Sequence, residues 1–263
     1  MSWQGAFLGG LLGLFLTHSI WGLIVGALIG QVLAQGAAPS RAASPDVAEV
    51  FFRATFTLMG HIAKSDGRVS EAEIQAARHL MQELKLGSEQ VNQAIDLFRT
   101  GKSASFDANG AIEELREACG SRHDLIRVFV ELQMRAAILG NGARGPAHAI
   151  LSAMAASLGL SGLEFVHMEA ILRAHYQARS QSQSRTGTYS RPANLDWAYQ
   201  ELEVSPGASN DEVKKAYRRQ MSRHHPDKLV ANGLPESMAE VAKEKTQRIQ
   251  EAYEAICAAR GIQ

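Results

Sequence analysis

Residues 209–227 read SNDEVKKAYRRQMSRHHPD, and this stretch decides the fold of the C-terminal part of the chain. Ser209 and Glu212 have the spacing of a capping box, so a helix is predicted to begin at this point. Its apolar residues recur at steps of three and four, as they do on one face of a helix: Val213, Ala216, Tyr217 and Met221. Pro226 cannot continue a helix, and it favours an extended conformation at His225. The closing His-Pro-Asp is therefore predicted to be a loop at the end of a basic, amphipathic helix.

Positive charge is concentrated on this helix. Its cationic side chains are Lys214, Lys215, Arg218, Arg219 and Arg223. The whole chain, in contrast, has 27 Lys and Arg against 27 Asp and Glu, so its formal net charge is zero. That balance provides no global field to favour nucleic acid as a partner, and the basic helix is a local feature.

The stretch and its flanks resemble a J-domain, the module by which DnaJ-type co-chaperones stimulate the ATPase of a DnaK-type chaperone. The resemblance covers roughly residues 195–260. Within it, residues 199–206 resemble the first helix and the turn that follows, residues 215–219 the second helix, and residues 247–254 the third. It implies a helical hairpin, which is assigned to residues 194–263. Because Tyr217 and Tyr253 lie on apolar stripes, they are predicted to pack between the two long helices of this hairpin.

The resemblance also implies where the partner binds. The tripeptide and the basic helix would contact a DnaK-type chaperone through His225, Pro226, Asp227, Lys214, Lys215, Arg218, Arg219 and Arg223. Two residues depart from the family pattern, since Glu203 stands where glycine is usual and Gln220 stands where a core leucine is common. Both departures are expected to loosen the fold slightly, and neither belongs to the tripeptide.

The N-terminal residues differ in kind from the rest of the chain. Residues 6–34 contain no Asp, Glu, Lys or Arg, and this run exceeds the ~20 residues that a helix needs to cross a membrane. A cleaved signal peptide is the alternative, but the basic n-region is missing and the apolar run is too long. One transmembrane helix is therefore predicted within residues 1–34, followed by a linker at 35–46. Arg41 and Arg53 follow the span, which favours a periplasmic N-terminus and a cytoplasmic C-terminal part at the bacterial inner membrane.

Glycines recur every fourth residue along the predicted span, in two triplets: Gly5, Gly9, Gly13 and Gly22, Gly26, Gly30. Small residues on one face allow a second membrane helix to approach closely, so the spacing favours a homodimer. The alternative is that glycine is simply common in membrane helices.

The middle of the chain is predicted to be all-α. Apolar residues with helical periodicity occupy 47–63, 72–86, 89–99, 109–119, 123–139, 147–158 and 163–176. Ser70 with Glu73 and Ser161 with Glu164 have capping-box spacing and are predicted to begin helices. Gly87, Gly140 and Gly159 are predicted to end helices. This domain is assigned to residues 47–176, and the polar, unpatterned stretch 177–193 is predicted to be a flexible linker.

An internal repeat is visible in the middle domain. Residues 60–67 resemble residues 135–142, and residues 83–87 resemble residues 157–161. The pattern is similar to the TerB-like helical domain of tellurite-resistance proteins. The order of membrane helix, TerB-like domain, polar linker and J-domain resembles a family of membrane-anchored co-chaperones of proteobacteria. Some of its members act in envelope signalling that includes capsule polysaccharide synthesis.

Metal binding and enzyme chemistry find little support in the sequence. Asp66, Glu71 and Glu73 form one acidic cluster, but the second repeat offers Asn141 and His148 where a hard cation would need oxygen ligands, mostly carboxylates. Phosphate-loop, zinc-protease and serine-elbow motifs are missing. We expect no metal, no cofactor and no enzymatic activity.

The sequence thus predicts a regulatory co-chaperone that stimulates a DnaK-type ATPase at the inner membrane. The alternative is a membrane scaffold or stress-response binding module in which the TerB-like domain is the active part. A helical metal sensor is a weaker alternative.

Overall fold

A computed structural model describes residues 46–184 and 195–261 of the chain, and these residues belong to the compact unit formed by residues 45–263. Within those two ranges the secondary structure is helical, without strands. The helices are α1 (Val47–Ala63), α2 (Glu71–Glu83), α3 (Ser88–Gly101), α4 (Ala108–Cys119), α5 (His123–Asn141), α6 (Gly145–Ser157), α7 (Gly162–Ser184), α8 (Asp196–Glu201), α9 (Asn210–His224), α10 (Pro226–Ala231) and α11 (Ala239–Arg260). A short 3₁₀ helix, Glu236–Met238, precedes α11.

Helices α2 and α7 of the middle domain begin where the capping signals predict. Ser70 and Glu73 form a capping box at the start of α2: Glu73 N donates to Ser70 Oγ, and Ser70 N donates to Glu73 Oε2 at 2.8 Å. Gly159, with φ +88°, follows the end of α6 as predicted. Sequence capping signals therefore predict the starts of α2 and α7 and the end of α6.

Two of the predicted helix ends are wrong. Gly87 is the N-cap of α3, and Gly140 lies inside α5, whose C-cap is Gly142 with φ +79°. The reason at Gly140 is packing against another helix, because a Cβ there would lie 2.8 Å from Glu73 Cγ on α2. Glycine at this position allows close contact between α2 and α5 and does not terminate a helix.

Helix α1 lies at the centre of the middle domain, and α3 and α5 pack against it. The crossing with α3 is unusually close. A Cβ on Gly60 would lie 2.1 Å from Phe98 O, and one on Gly101 would lie 1.8 Å from Thr57 O. Both distances are far below van der Waals contact, so the two backbones touch and neither glycine can be replaced without separating the helices.

The J-domain is a pair of long helices, α9 and α11, closed by α8. Ser209 and Glu212 form the predicted capping box of α9. Tyr217 and Tyr253 stack across the pair with ring centroids 4.2 Å apart and an interplanar angle of 16°. The prediction that these rings pack between the two helices is confirmed, although both remain partly exposed.

Several predictions concern residues beyond the described ranges. The membrane helix predicted within residues 1–34 and its glycines lie outside them, and Asp46, the N-cap of α1, is the described part of the linker 35–46. Over the ranges that are described, no helix is both long and apolar enough to cross a membrane. Helix α7 continues to Ser184, so the first part of the stretch 177–193 is helical where a flexible linker was expected.

Candidate partner-binding surface

The tripeptide His225-Pro226-Asp227 forms the first turn of a short helix. His225 is extended, as predicted, with φ −61° and ψ 127°. Pro226 is the first residue of α10, a position that suits proline because its missing N–H would be unpaired there in any case. His225 caps this helix, since Asp227 N donates to His225 Nδ1 at 3.3 Å. The predicted loop is therefore only one residue long, and the rest of the tripeptide is helical.

This turn is open to solvent. The side chains of His225 and Asp227 are 53% and 92% exposed. The basic residues Lys215, Arg218 and Arg219 are also exposed, and Lys214 is partly buried. These groups share one region of the J-domain around α9, where a partner could reach them.

Arg223 is placed differently from the other predicted cations. Its side chain lies between two carboxylates, 3.5 Å from Asp124 Oδ1 on α5 and 3.5 Å from Glu203 Oε2. Lys228, which directly follows the tripeptide, lies 3.5 Å from the other oxygen of Asp124. Sequence reasoning missed Lys228 and Asp124. Lys228 could have been found from the sequence, because it is a cation directly after the tripeptide. Asp124 could not, because it is about a hundred residues away in the chain.

Glu203 explains one departure from the J-domain pattern. Its φ is +55°, a left-handed conformation that glycine adopts without strain. Its carboxylate accepts a hydrogen bond at 2.7 Å from Arg127 of α5. Although burial acts in the opposite direction, Arg127 and Gln220 hold the pKa of Glu203 below its usual range. The two departing residues, Glu203 and Gln220, thus lie together beside the middle domain.

The J-domain packs directly on the middle domain through apolar residues. Those that join the apolar core of the middle domain are Leu229, Leu234, Met238, Val241 and Ala242. They lie in α10, in the segment after it and in the first turn of α11. The remaining J-domain core, around Ile249 and Val213, forms a separate cluster. The apolar residues after the tripeptide therefore serve contact between domains.

Ion pairs surround this contact. Arg135 of α5 is only 4% exposed and bridges Glu83 at 2.7 Å and Glu244 at 2.9 Å. Lys85 and Glu240 add a second pair at 2.8 Å. A buried guanidinium is tolerated only when its charge is paired, so these carboxylates fix how α11 lies on the middle domain.

A buried polar cluster lies behind the tripeptide. His224, the last residue of α9, is buried, and that burial, together with Lys245, lowers its pKa to about 4. Although burial acts in the opposite direction, Lys245 and Arg248 lower the pKa of Glu201 to about 2. His224 is therefore neutral and Glu201 ionised at neutral pH, in contrast to the solvated charges of the basic helix.

The acidic cluster considered for metal is engaged in other contacts. Glu73 caps α2 and accepts a hydrogen bond from Asn141 Nδ2 at 2.9 Å. His148 lies 3.1 Å from Glu169. Among the side chains that the structure describes, no group of three or more His, Cys, Asp or Glu could hold a metal ion. That no metal or cofactor is needed stays a prediction.

Comparison with known proteins identifies both domains. A DnaJ domain family model matches residues 197–260, and the model named Tellurite resistance protein TerB matches residues 52–136. The resemblances to a J-domain and to a TerB-like domain are confirmed. No solved structure gives a significant match.

Several relatives that match over nearly the full length of the chain share one name. The Co-chaperone protein DjlA of Coxiella burnetii is 40% identical to this chain, and the match covers 97% of each. The protein of that name from Legionella pneumophila is 38% identical, over 99% of this chain and 96% of the relative. The one from Escherichia coli strain K12 is 36% identical over 100% of both.

Proposed function

The chain belongs to the DjlA family of co-chaperones, and we propose that it binds a DnaK-type chaperone in the ATP state and accelerates ATP hydrolysis by that partner. The observation that carries the proposal is the exposed tripeptide at the end of the basic helix α9, within a domain that the DnaJ family model matches. The chain itself performs no chemistry. It acts by making contacts that favour the hydrolysis-competent state of the partner, since only differential binding can shift such an equilibrium.

Electrostatics would bring the partner to the tripeptide. Lys215, Arg218 and Arg219 present exposed positive charge on α9, so an acidic surface on the chaperone would be attracted and oriented. Such steering acts mainly on the association rate and is screened by salt. Stimulation at a fixed, sub-saturating concentration should therefore fall as ionic strength rises.

The tripeptide would supply the specific contacts. An ionised Asp227 can only accept hydrogen bonds, so it selects donors on the partner. His225 accepts from Asp227 N through Nδ1, and a neutral ring in that arrangement carries its proton on Nε2, where it can donate. Acceptor and donor thus lie within three residues, held in place by the first turn of α10.

The N-terminal sequence supports an inner-membrane location for this activity. We propose that the charge-free residues 6–34 act as one transmembrane helix, and that the glycines at every fourth position allow two copies to associate as a homodimer. On this proposal the J-domain is held at the cytoplasmic face of the inner membrane, and the chain takes part in envelope signalling as some members of the family do. The membrane confines stimulation to chaperone molecules near that surface.

Single-turnover ATP hydrolysis by DnaK, with the full chain added in detergent, tests the proposal. The parent should accelerate hydrolysis, and Asp227→Asn should lose about 10–100-fold of that stimulation, because a hydrogen bond to a charged group contributes roughly 1.5–3 kcal/mol. Asp211→Asn is the matched control, since it removes another exposed carboxylate from the same domain. Stimulation by a folded Asp227→Asn variant equal to that of the parent would contradict the assignment.

A further inference from the structure

One apolar residue attaches α10 to the middle domain. Pro226 and Asp227 are the first residues of α10, and within that helix, which is described throughout, Leu229 is the buried residue. Leu229 belongs to the apolar core cluster of the middle domain. The helix that begins with the tripeptide is therefore attached to the middle domain less than one turn from Asp227. A displacement of Leu229 would displace the tripeptide with it.

The segment after α10 contacts the middle domain through its backbone. Gly233 has φ +109°, and a Cβ at this position would lie 2.7 Å from Val47 Cγ1 and 2.8 Å from Val47 Cβ. Val47 is the first residue of α1, the central helix of the middle domain. Glycine is required at position 233 for two reasons: the positive φ, and the close approach of the backbone to the Val47 side chain.

Contacts to one acidic residue flank the tripeptide. Asp124, in the first turn of α5, lies 3.5 Å from Arg223 before the tripeptide and 3.5 Å from Lys228 after it. The tripeptide between these two cations remains open to solvent. The middle domain therefore contacts the back and the flanks of this turn without covering it.

From these contacts we propose that the TerB-like domain is an intramolecular docking partner of the J-domain, and that docking presents the tripeptide to the chaperone in one fixed orientation. The functional unit is then the docked pair of domains. A tripeptide already held in place loses less conformational freedom on binding than a free one, which favours affinity. If undocking leaves one molecule in ten competent, the apparent dissociation constant rises about tenfold. The functional half of this inference rests on the proposed stimulation of a DnaK-type chaperone, whereas the docking itself does not.

Gly233→Ala tests the docking in the full chain, with Gly67→Ala as its matched control. Gly67 also has a positive φ, +96°, but a Cβ there would meet nothing within 4 Å. Both variants carry backbone strain, and only Gly233→Ala collides with Val47. Exchange of the amide hydrogens between residues 227 and 241 should therefore accelerate in Gly233→Ala and stay at the parental rate in Gly67→Ala. Parental exchange in both variants would overturn the docking.

Single-turnover ATP hydrolysis by DnaK, measured over a range of concentrations of each variant, tests the positioning. Gly233→Ala should raise the half-saturating concentration on the order of tenfold. It should leave the maximal rate unchanged, because the undocked tripeptide still has the same side chains to contact the chaperone. Gly67→Ala should match the parent. Faster exchange in Gly233→Ala with a parental half-saturating concentration would overturn the positioning role. If the parent itself fails to stimulate, the proposed function fails, and hydrogen exchange still decides the docking.

A second pair of variants avoids dependence on one strained glycine. Met238 and Met154 are both buried in the same apolar cluster, but Met238 belongs to the J-domain and Met154 to α6 of the middle domain. Met238→Ala should raise both the exchange rate of the amide hydrogens between residues 227 and 241 and the half-saturating concentration. Met154→Ala removes the same volume from a helix of the middle domain itself and should raise neither. Equal effects of the two substitutions on half-saturation would overturn the proposal.

Discussion

Replacing Glu203 by alanine and by glycine separates two opposing contributions to stability. The first is an ion pair, because the Glu203 carboxylate accepts from Arg127 at 2.7 Å across the two domains. The second is backbone strain, because φ at Glu203 is +55°. Alanine removes the ion pair and keeps the strain, whereas glycine removes both. The comparison of the two variants therefore measures the strain, less the extra chain entropy that glycine has in the unfolded state.

The geometry sets the expected magnitudes. The side chains of Arg127 and Glu203 are 17% and 27% exposed, so the pair falls between a surface ion pair and a buried one, and its loss costs about 1–2 kcal/mol. The left-handed conformation costs a residue with a Cβ about 1–2 kcal/mol. Glycine avoids this cost, but it loses roughly 0.5–1 kcal/mol more conformational entropy on folding. The free energy of unfolding of Glu203→Gly should thus exceed that of Glu203→Ala by about 0.5–1 kcal/mol.

Thermal unfolding of the full chain in detergent, followed by circular dichroism, measures both differences. For a unit of this size 1 kcal/mol corresponds to about 2–4 °C, so Glu203→Ala should melt about 2–8 °C below the parent and Glu203→Gly about 1–4 °C above Glu203→Ala. High salt should reduce the first difference and leave the second unchanged. Glu117→Ala, which removes an exposed carboxylate from α4, should stay within about 0.5 kcal/mol of the parent. A glycine variant that melts at or below the alanine variant would refute the strain argument.

Three further outcomes are expected. Tyr253→Ala should lose about 0.5–1.5 kcal/mol of ring stacking in addition to its apolar contact, and Tyr253→Phe, which keeps the ring, should melt close to the parent. Because burial lowers the pKa of His224 to about 4, below its unfolded value near 6.5, folding stability should be fully present above pH 6.5 and fall as the pH drops towards 4. In His224→Gln this fall should be smaller, and a parental pH dependence of melting in that variant would exclude His224 as its cause. The double substitution Gly9→Leu and Gly26→Leu should preserve membrane insertion and lower the yield of crosslinked dimer. A dimer yield equal to that of the parent would show that these glycines only reflect the usual composition of membrane helices.

Local signals in the sequence predicted most of the helices. The capping boxes at Ser70 and Ser209 mark helix starts because the partner groups lie three residues apart in the chain. The stripe that contains Tyr217 predicted its contact with Tyr253, since each residue lies on the apolar face of an amphipathic helix. Features that depend on neighbours in sequence are accessible without a structure.

Contacts between segments distant in sequence were not accessible. Gly140 has the sequence context of a helix end, and only the presence of Glu73 on another helix explains why it does not act as one. Asp124 carries no signal that it lies between Arg223 and Lys228. Residues 229–242 were assigned to a J-domain, and nothing in their periodicity shows that their apolar side chains contact another domain.

The packing of J-domain residues into the core of the TerB-like domain limits how the chain can be divided. A fragment that ends at Ser184 would lack Leu229, Leu234 and Met238, and the apolar surface that they cover would face water. Exposed apolar patches promote self-association, so such a fragment should be less soluble than the intact chain. A chimaera with a J-domain from another co-chaperone would have the same defect unless residues 228–242 were retained. Each domain matches a family model of its own, but the shared apolar cluster means that neither is expected to behave as a portable module in this protein.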